Sequence, residues 1–518
     1  MTTTFWFGRP AKSRRRRELA LAASVALIAG SAQASSVQLG TMFEGTSQFD
    51  NFFLDGAFRP PDTMGAIGTT QFLETTNGSI TVYDRSNGAV LKREGANAFW
   101  TKNGQNGSSG DQRVLFDHYT NRWLMSGFCQ NVNEVCVAVS DTSDALGTWR
   151  TTRIPALATG AADYPTLAMD DKAVYIATNN FTPGFIGTSL FSIPKADLFD
   201  GAPSIENMTA FTAPLAGPDR GFSIQGAVNW QGNPDAQASV MTVSRDQFDV
   251  LFYTLNGVDG AGATQSAVTD VNVQGYTFNN PGRQPDGTRL VDTLDDRLSA
   301  SVYEVDGKIY GIQTVTPTGV PSALARTELR WYVLDAATGT LLQAGTIGGG
   351  DYDYYQGAIA VNEHGHAVIS YNRSGFQIGD ANLDGLPDGR ISFLAHAYTL
   401  DGMGLLSPLG SEFLLRVSDV SDYRCGPRTS IDTVCRQRWG DYAAVTIDPL
   451  DHRSFWTIGE YAAEWSDYGT PAAPLVRATW HTFISQLVFS HDVAEPGSLA
   501  LLGLGLVGLG MSRRRRTC

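Results

Sequence analysis

The feature that most constrains the fold is a short pattern repeated along the chain: a polar entry, a strand-like run, a tight turn, and a second strand-like run. It is fullest at residues 438–461. There Arg438-Trp439-Gly440-Asp441-Tyr442 opens a run of small residues, Asp448-Pro449 makes the turn, and an aromatic and β-branched run ends at Glu460-Tyr461. Degenerate copies follow Asp111-Gln112-Arg113, Asp163-Tyr164-Pro165, Asp296-Arg297-Leu298 and Tyr355-Gln356-Gly357. A hairpin recurring at intervals of roughly 50–80 residues is what radially repeated sheets leave in a sequence, because each unit buries its faces against its neighbours. The fold class read from this is all-β: a β-propeller of about seven four-stranded blades, six or eight being the alternatives. It occupies residues 58–490.

Composition agrees. The chain has 55 Gly and 22 Pro and only 17% charged residues, which suits short strands and many turns. Its formal net charge of -14 understates the acidity of the body, because ten arginines and lysines lie at 9–18 and 513–516, where Glu18 alone offsets them. Setting those aside leaves 28 basic and 51 acidic residues, about -23. Such a body repels nucleic acid and anionic lipid, and it attracts divalent cations.

The N-terminus reads as an address. Arg14, Arg15, Arg16 and Arg17 precede an apolar stretch at 19–29, and Ala32-Gln33-Ala34 is a small-residue cleavage site before Ser35. Residues 1–34 are therefore a signal peptide, and 35–57 a lead-in to the first blade. Export makes the cysteines legible. Cys129 with Cys136 and Cys425 with Cys435 each flank a short polar loop, so both pairs are expected as local disulfides; Cys518 lies in the tail.

One loop has ligand spacing. Asp380, Asn382, Asp384 and Asp388 stand at positions one, three, five and nine, with Gly385 at six and the Leu386 carbonyl at seven. This is the order of an oxygen-lined calcium loop, and it predicts a structural Ca2+. Ile391 occupies position twelve, where a bidentate Glu belongs, so another segment has to complete the shell. The alternative is an ordinary Asn/Asp/Gly turn. His364-Gly365-His366 is read as a solvated hairpin turn. No serine-hydrolase, zinc-protease or phosphate-loop motif occurs.

The C-terminus, 491–518, reads as a second address. Ala494-Glu495-Pro496 precedes an apolar run at 499–511, followed by Arg513, Arg514, Arg515 and Arg516. A helix over that run rises only about 20 Å, against a hydrocarbon core of about 30 Å, so it is a poor permanent anchor. The order of parts resembles the Pro-Glu-Pro C-terminal (PEP-CTERM) sorting signal of Gram-negative bacteria, with Ala494 where the first Pro belongs. The resemblance implies processing by an exosortase-type transpeptidase after transient tethering at the inner membrane. It also implies delivery to the cell surface or extracellular matrix, in association with polysaccharide and biofilm.

The repeat entries, with Asp62 in Pro60-Pro61-Asp62-Thr63-Met64-Gly65, resemble a group of exported bacterial β-propeller proteins of distantly sialidase-like architecture. Asp144-Ala145-Leu146-Gly147-Thr148-Trp149 is similar to the structural Asp-box turn of sialidases, one residue out of step. In this fold the blade entries converge near the central channel. Asp111, Arg113, Asp163, Tyr164, Asp296, Arg297, Arg438, Asp441 and Tyr442 are therefore the candidate channel residues, and no catalytic residue is assigned. The preferred reading is a binding or structural protein for extracellular polysaccharide or a surface protein. The alternative is a sialidase-like glycoside hydrolase acting on extracellular glycans. Arg113, Arg297 and Arg438 resemble the triad that holds a sialic carboxylate, but the only Glu near those strands are Glu304 and Glu460. Glu460 is placed at the end of an outer strand.

Overall fold

A computed structural model describes residues 35–491, apart from 108–109, 130, 213–220, 245–246, 288, 322–323, 382, 425–436 and 471–472, and apart from the side chains of Ser35, 465–477 and His491. The expected signal peptide, Asn382, Cys425, Cys435 and all but the first residue of the 491–518 tail lie outside the described residues. Val37–Phe489 is one compact unit.

Its strands form antiparallel meanders in chain order. The first is Met64–Ile67, Gln71–Thr76, Ser79–Asp84 and Val90–Gly95. The second is Arg113–Asp117, Arg122–Phe128, Val135–Ser140 and Trp149–Ile154. In the third, Ala161–Asp163 and Ala168–Met169 share the inner position, followed by Ala173–Phe181, Phe185–Pro194 and Thr209–Phe211. The fourth is Phe222–Asn229, Gln237–Val243 and Asp249–Asn256, with Thr264–Gln265 and Thr269–Asn272 sharing its outer edge. The fifth is Val302–Val305, Lys308–Pro317, Glu328–Asp335 and Leu341–Ile347. The sixth is Tyr352–Val361, His366–Gly375, Ser392–Leu400 and Leu406–Val417. The last is Ala444–Ile447, Phe455–Thr470 and Ala473–His491, with Ser35–Ser47 as its outermost strand.

Burial explains the sequence pattern. Met64–Ile67, Arg113–Asp117 and Ala444–Ile447 are buried at every residue, so inner strands read as small or apolar runs, broken in one case only by the buried Arg113 and Asp117 at its ends. Leu341–Ile347, an outer strand, alternates half-buried and exposed positions. The inner strands pack side by side. Met64–Ile67 lies against both Arg113–Asp117 and Ala444–Ile447, and the inner strand of the sixth meander lies against those of the fifth and last. Inner strands of the fourth and fifth even pair in parallel, with Ala227 opposite Val302. Lys195 joins the second and third meanders through an ion pair of 2.8 Å with the fully buried Asp117. The chain's first meander thus touches its last.

Residues 35–57, expected as a lead-in, contain the strand that completes the last sheet. Its end is held at a buried carboxylate. Glu74, in the first meander, accepts from the Thr46 backbone N–H at 3.0 Å and the Thr46 hydroxyl at 2.7 Å. The hydroxyls of Tyr83 and Thr482 donate to the same carboxylate, and Thr482 belongs to the last sheet. One side chain therefore ties the N-terminal strand to both the first and last meanders. The Ser47 and Asp50 side chains then close a capping box on the short helix Gln48–Phe52.

The Cys129–Cys136 disulfide is present, with a Cα–Cα distance of 5.2 Å. It joins the end of one strand to the start of the next in the second meander. Non-reducing peptide mapping of the exported protein is expected to recover this bridge together with Cys425–Cys435. Free thiols at Cys425 and Cys435 would contradict the second pairing. The Asp144 turn lies at the edge of the same meander. The Gln71 amide donates to the Asp144 carboxylate at 2.7 Å, fastening the second meander to the first.

Candidate functional site

The entries are built by one backbone device. Asp62, Asp111, Tyr164, Ser223 and Gln356 take φ between 51° and 56°, each beside or within the start of an inner strand. The register slips at two of these places, between Phe222 and Gln225 and between Tyr355 and Ala358. Such left-handed residues cost on the order of 1–2 kcal/mol each when they are not glycine. Of these five residues, Asp62 and Asp111 line a common opening, whereas Tyr164, Ser223 and Gln356 are buried. Where the last meander enters, the left-handed residue is lacking, and Gly440 leaves room for its neighbours instead. A Cβ there would stand 2.5 Å from Glu460 Oε1 and 2.7 Å from Gln356 Nε2.

A cavity of about 580 Å³ opens at this end, and its walls are predominantly polar. Asp62, Asp111, Asp163, Asp295 and Asp441 supply five carboxylates to it, and Arg297 and Arg438 supply the cations. Asn77, Asn279, Pro60, Leu294 and Phe278 complete the lining. Several of these come from the long connection before the fifth meander. Its Val291–Asp292 pairs in parallel with Gln437–Arg438, drawing Asp295 and Arg297 to the rim.

Hydrogen bonds fix the carboxylates. Asp62 accepts from the Asn77 amide at 2.6 Å and from the Asp441 backbone N–H at 2.9 Å. The Tyr442 hydroxyl donates to Asp111 at 2.8 Å. Both arginines are engaged within the wall. Arg297 grips Asp295 at 2.6 and 2.7 Å, and Arg438 donates to both oxygens of Asp441 at 2.7 Å. None of the ion pairs among the described residues includes Asp62, Asp111 or Asp163.

Crowding of like charge in a buried wall shows in the protonation equilibria. Burial, then the Asp163 charge, pushes Asp111 up to about 7. Asp62 is raised well above the ordinary carboxylate range by burial and by the charges of Asp441 and Asp111. Burial also raises Asp163, and burial with the adjacent Asp295 puts Asp296 at about 6.

The structure sorts the nine candidates. Asp111, Asp163, Arg297, Arg438 and Asp441 line the cavity. Arg113, Tyr164 and Tyr442 are buried, with the Arg113 guanidinium 3.9 Å from the Tyr442 ring centroid and 5.2 Å from that of Tyr164. Asp296 faces a second, apolar pocket of about 210 Å³, lined by Phe181, Phe185, Phe222, Val243 and Phe278 among others. The two pockets share Phe278 and Asp295. Sequence reasoning did not select Asn77, Phe278, Asn279 or Asp295, because they lie off the repeat; Asp62 was legible as an entry. Glu460, expected at the end of an outer strand, is instead in the second strand of the last sheet and only 1% exposed. Burial raises its carboxyl well above the usual range.

The loop expected to bind calcium is organised by its own backbone. Asp380 accepts from the Asp384 and Gly385 N–H groups at 3.0 and 2.9 Å, and Asp388 accepts from Ala381 at 3.0 Å. The Arg390 guanidinium lies 2.6 Å from Asp384. Among the described residues no three His, Cys, Asp or Glu side chains are gathered to hold a metal ion. His366, read as part of a solvated turn, is 3% exposed and stacks on Phe489, with ring centroids 4.4 Å apart. It follows the turn closely enough to begin the next strand, which carries it inward.

Residues 492–516 match the PEP-CTERM protein-sorting motif. The chain thus carries the sorting signal of an exported protein, one that implies membrane-associated processing by exosortase-type machinery. No helix among the described residues is long and apolar enough to cross a membrane. No curated protein matches the sequence. Among solved structures, the chain is similar to KlHsv2 with loop 6CD replaced by a Gly-Ser linker, at 11% identity and a TM-score of 0.31, covering 69% of this chain and 99% of that one. It is also similar to extracellular domains 1-2 of Drosophila Semaphorin 1b, at 10% identity and a TM-score of 0.32, covering 86% of each. Likeness at this level carries no inference about function.

Proposed function

We propose that this is an exported, surface-sorted β-propeller of seven blades that binds an extracellular saccharide in the cavity at the mouth of its ring. The observation that carries the reading is the cavity itself. Its volume falls within the range of small-ligand sites, and its wall combines fixed hydrogen-bonding groups with the exposed ring of Phe278. Side-by-side packing of the inner strands supports the ring, and the outer strand Ser35–Ser47 supports its closure. Calorimetric titration with oligosaccharides prepared from the host's extracellular polysaccharide tests the binding. Saturable heat is expected, weakened at least about fivefold by Phe278→Ala. Binding that is unchanged in this variant would place the saccharide elsewhere.

Glycoside hydrolysis is the second reading, and one observation favours it: Asp111, at about 7, stands beside the ionisable Asp163 in an open cavity. It is the weaker reading, because the arginine triad of a sialidase is not displayed. Arg113 lies beneath tyrosine rings, and the other two arginines are held by Asp295 and Asp441. Release of reducing sugar by the exported protein, abolished by Asp111→Asn, would make hydrolysis the better account.

A structural Ca2+ at Asp380, Asp384, Leu386 and Asp388 remains part of the proposal, on the spacing of its oxygens. Binding would require Asp384 to leave Arg390 and the carboxylates to turn inward. Calcium is expected to raise the melting temperature of the exported protein, and Asp384→Ala to remove that rise. A wild-type melting curve insensitive to calcium would remove the ion from the account.

For the tail, we propose cleavage near Glu495-Pro496 by an exosortase-type transpeptidase, followed by release to the surface or matrix. Intact-mass analysis of the protein from its native host is expected to show a chain lacking Arg513, Arg514, Arg515 and Arg516. A mass that includes Cys518 would instead indicate a retained anchor.

A further inference from the structure

Among the described residues, the cavity has more carboxyl groups than cations: five aspartates against Arg297 and Arg438. Arg297 and Arg438 are each saturated by an aspartate of the wall, which leaves Asp62, Asp111 and Asp163 facing the opening without an ion-pair partner among the described residues. Asp62 is 97% buried by the complement of its 3% exposure, and its two oxygens are already oriented by Asn77 and the Asp441 N–H. Its carboxylate is therefore a fixed feature of the wall and not a solvated side chain free to turn away.

An anionic saccharide entering this cavity would meet three carboxyl groups without an ion-pair partner among the described residues, and two arginines already held by aspartates. A neutral one would find hydrogen-bonding groups but bring no cation to favour the ionised form of Asp62 and Asp111, both raised by burial and by neighbouring carboxylates. A protonated amine supplies what the wall lacks: one positive charge and three N–H donors for acceptors that are already in place.

The adjoining apolar pocket adds a second constraint. The Phe181 and Phe185 rings lie 5.7 Å apart, and Phe185 lies 5.4 Å from Phe222. Phe278, 64% exposed, belongs to both pockets, so a ligand in the acidic cavity has an apolar surface directly beside it. A pyranose ring, with an apolar C–H face and polar edges, suits a site with that division.

We infer that the saccharide bound here carries free amino groups, with an ammonium seated among Asp62, Asp111 and Asp163 and a sugar-ring face against Phe278. This rests on the saccharide-binding reading above and names the class of ligand within it. The ligand is thus a de-N-acetylated amino-sugar polymer and not a uronic or sialic acid polymer.

The test is calorimetric titration of the exported protein at pH 7.5 with short β-linked glucosamine oligomers, their N-acetylated counterparts, neutral glucose oligomers and uronate oligomers. Glucosamine oligomers are expected to bind at least about tenfold more tightly than the N-acetylated ones, and uronates not at all. Asp163→Asn and Phe278→Ala should each weaken glucosamine binding about five- to tenfold. If N-acetylated or neutral oligomers bind as tightly, the inference fails and the saccharide reading stands. If no oligomer binds, both fail. Equal binding of glucosamine oligomers to wild type and both variants would mark attraction of a cation to an acidic surface, and it would overturn the inference.

Discussion

Deleting residues 35–47 from the exported protein is expected to abolish its cooperative unfolding transition, and Glu74→Ala to lower its stability by about 3–5 kcal/mol. The strand Ser35–Ser47 is the outermost of the last sheet, and its removal would bare a hydrogen-bonding edge along Ala473–His491. Glu74 is fully buried and accepts from Thr46, Tyr83 and Thr482. Alanine would leave those donors without an acceptor in a site closed to water, and Glu74→Gln, which keeps one acceptor oxygen, should lose less. Urea denaturation followed by tryptophan fluorescence measures both variants. A Glu74→Ala protein within about 1 kcal/mol of wild type would show that this clasp does not hold the N-terminal strand in place.

The second large effect is on pH. A carboxyl whose folded value is raised keeps its proton in the folded chain after the unfolded chain has lost it. The stability it contributes is complete below the unfolded value and is lost as pH rises through the folded one. Asp111 at about 7, Asp296 at about 6, and the raised Asp62, Asp163 and Glu460 all act in this direction. Melting temperature should therefore fall as pH rises from about 4 to about 7.5. Asp111→Asn should flatten the fall and stabilise the protein at pH 7.5 by on the order of 2 kcal/mol, after allowance for water in the cavity. Asparagine keeps an oxygen for the Tyr442 hydroxyl, so the variant removes charge and little else. A melting temperature that rises steadily over this range, with no gain from Asp111→Asn, would mean that hydrogen-bond donors of the wall and solvent already accommodate the charge.

The repeat made much of this architecture legible. Entries at Asp111, Asp163 and Arg438 sit at or just before inner strands, and the turn at Asp306-Gly307 joins Val302–Val305 to Lys308–Pro317. The fourth meander was missed because its entry, Gly221-Phe222-Ser223, has no Asp or Arg to mark it. The left-handed φ of Ser223 shows that the backbone device persists without the polar signature. The cavity was half legible. Asp111, Asp163, Arg297, Arg438 and Asp441 were found because repetition exposes them. Asn77, Phe278, Asn279 and Asp295 were not, because a hairpin turn and an irregular connection bring them there. No periodicity encodes where the crossing between Thr269–Asn272 and Val302–Val305 will lay its side chains, and that crossing supplies the aromatic wall. Nor could spacing tell that Arg113 would be buried against Tyr442 while Arg438 reaches the rim.

Hydrogen–deuterium exchange of the exported protein, with and without a saturating saccharide, tests the central claim most directly. Binding in this cavity predicts slowed exchange confined to residues 60–63, 77–78, 110–113, 162–164, 277–297 and 438–442. Protection confined to any other face, in a protein that has bound the saccharide, would contradict it.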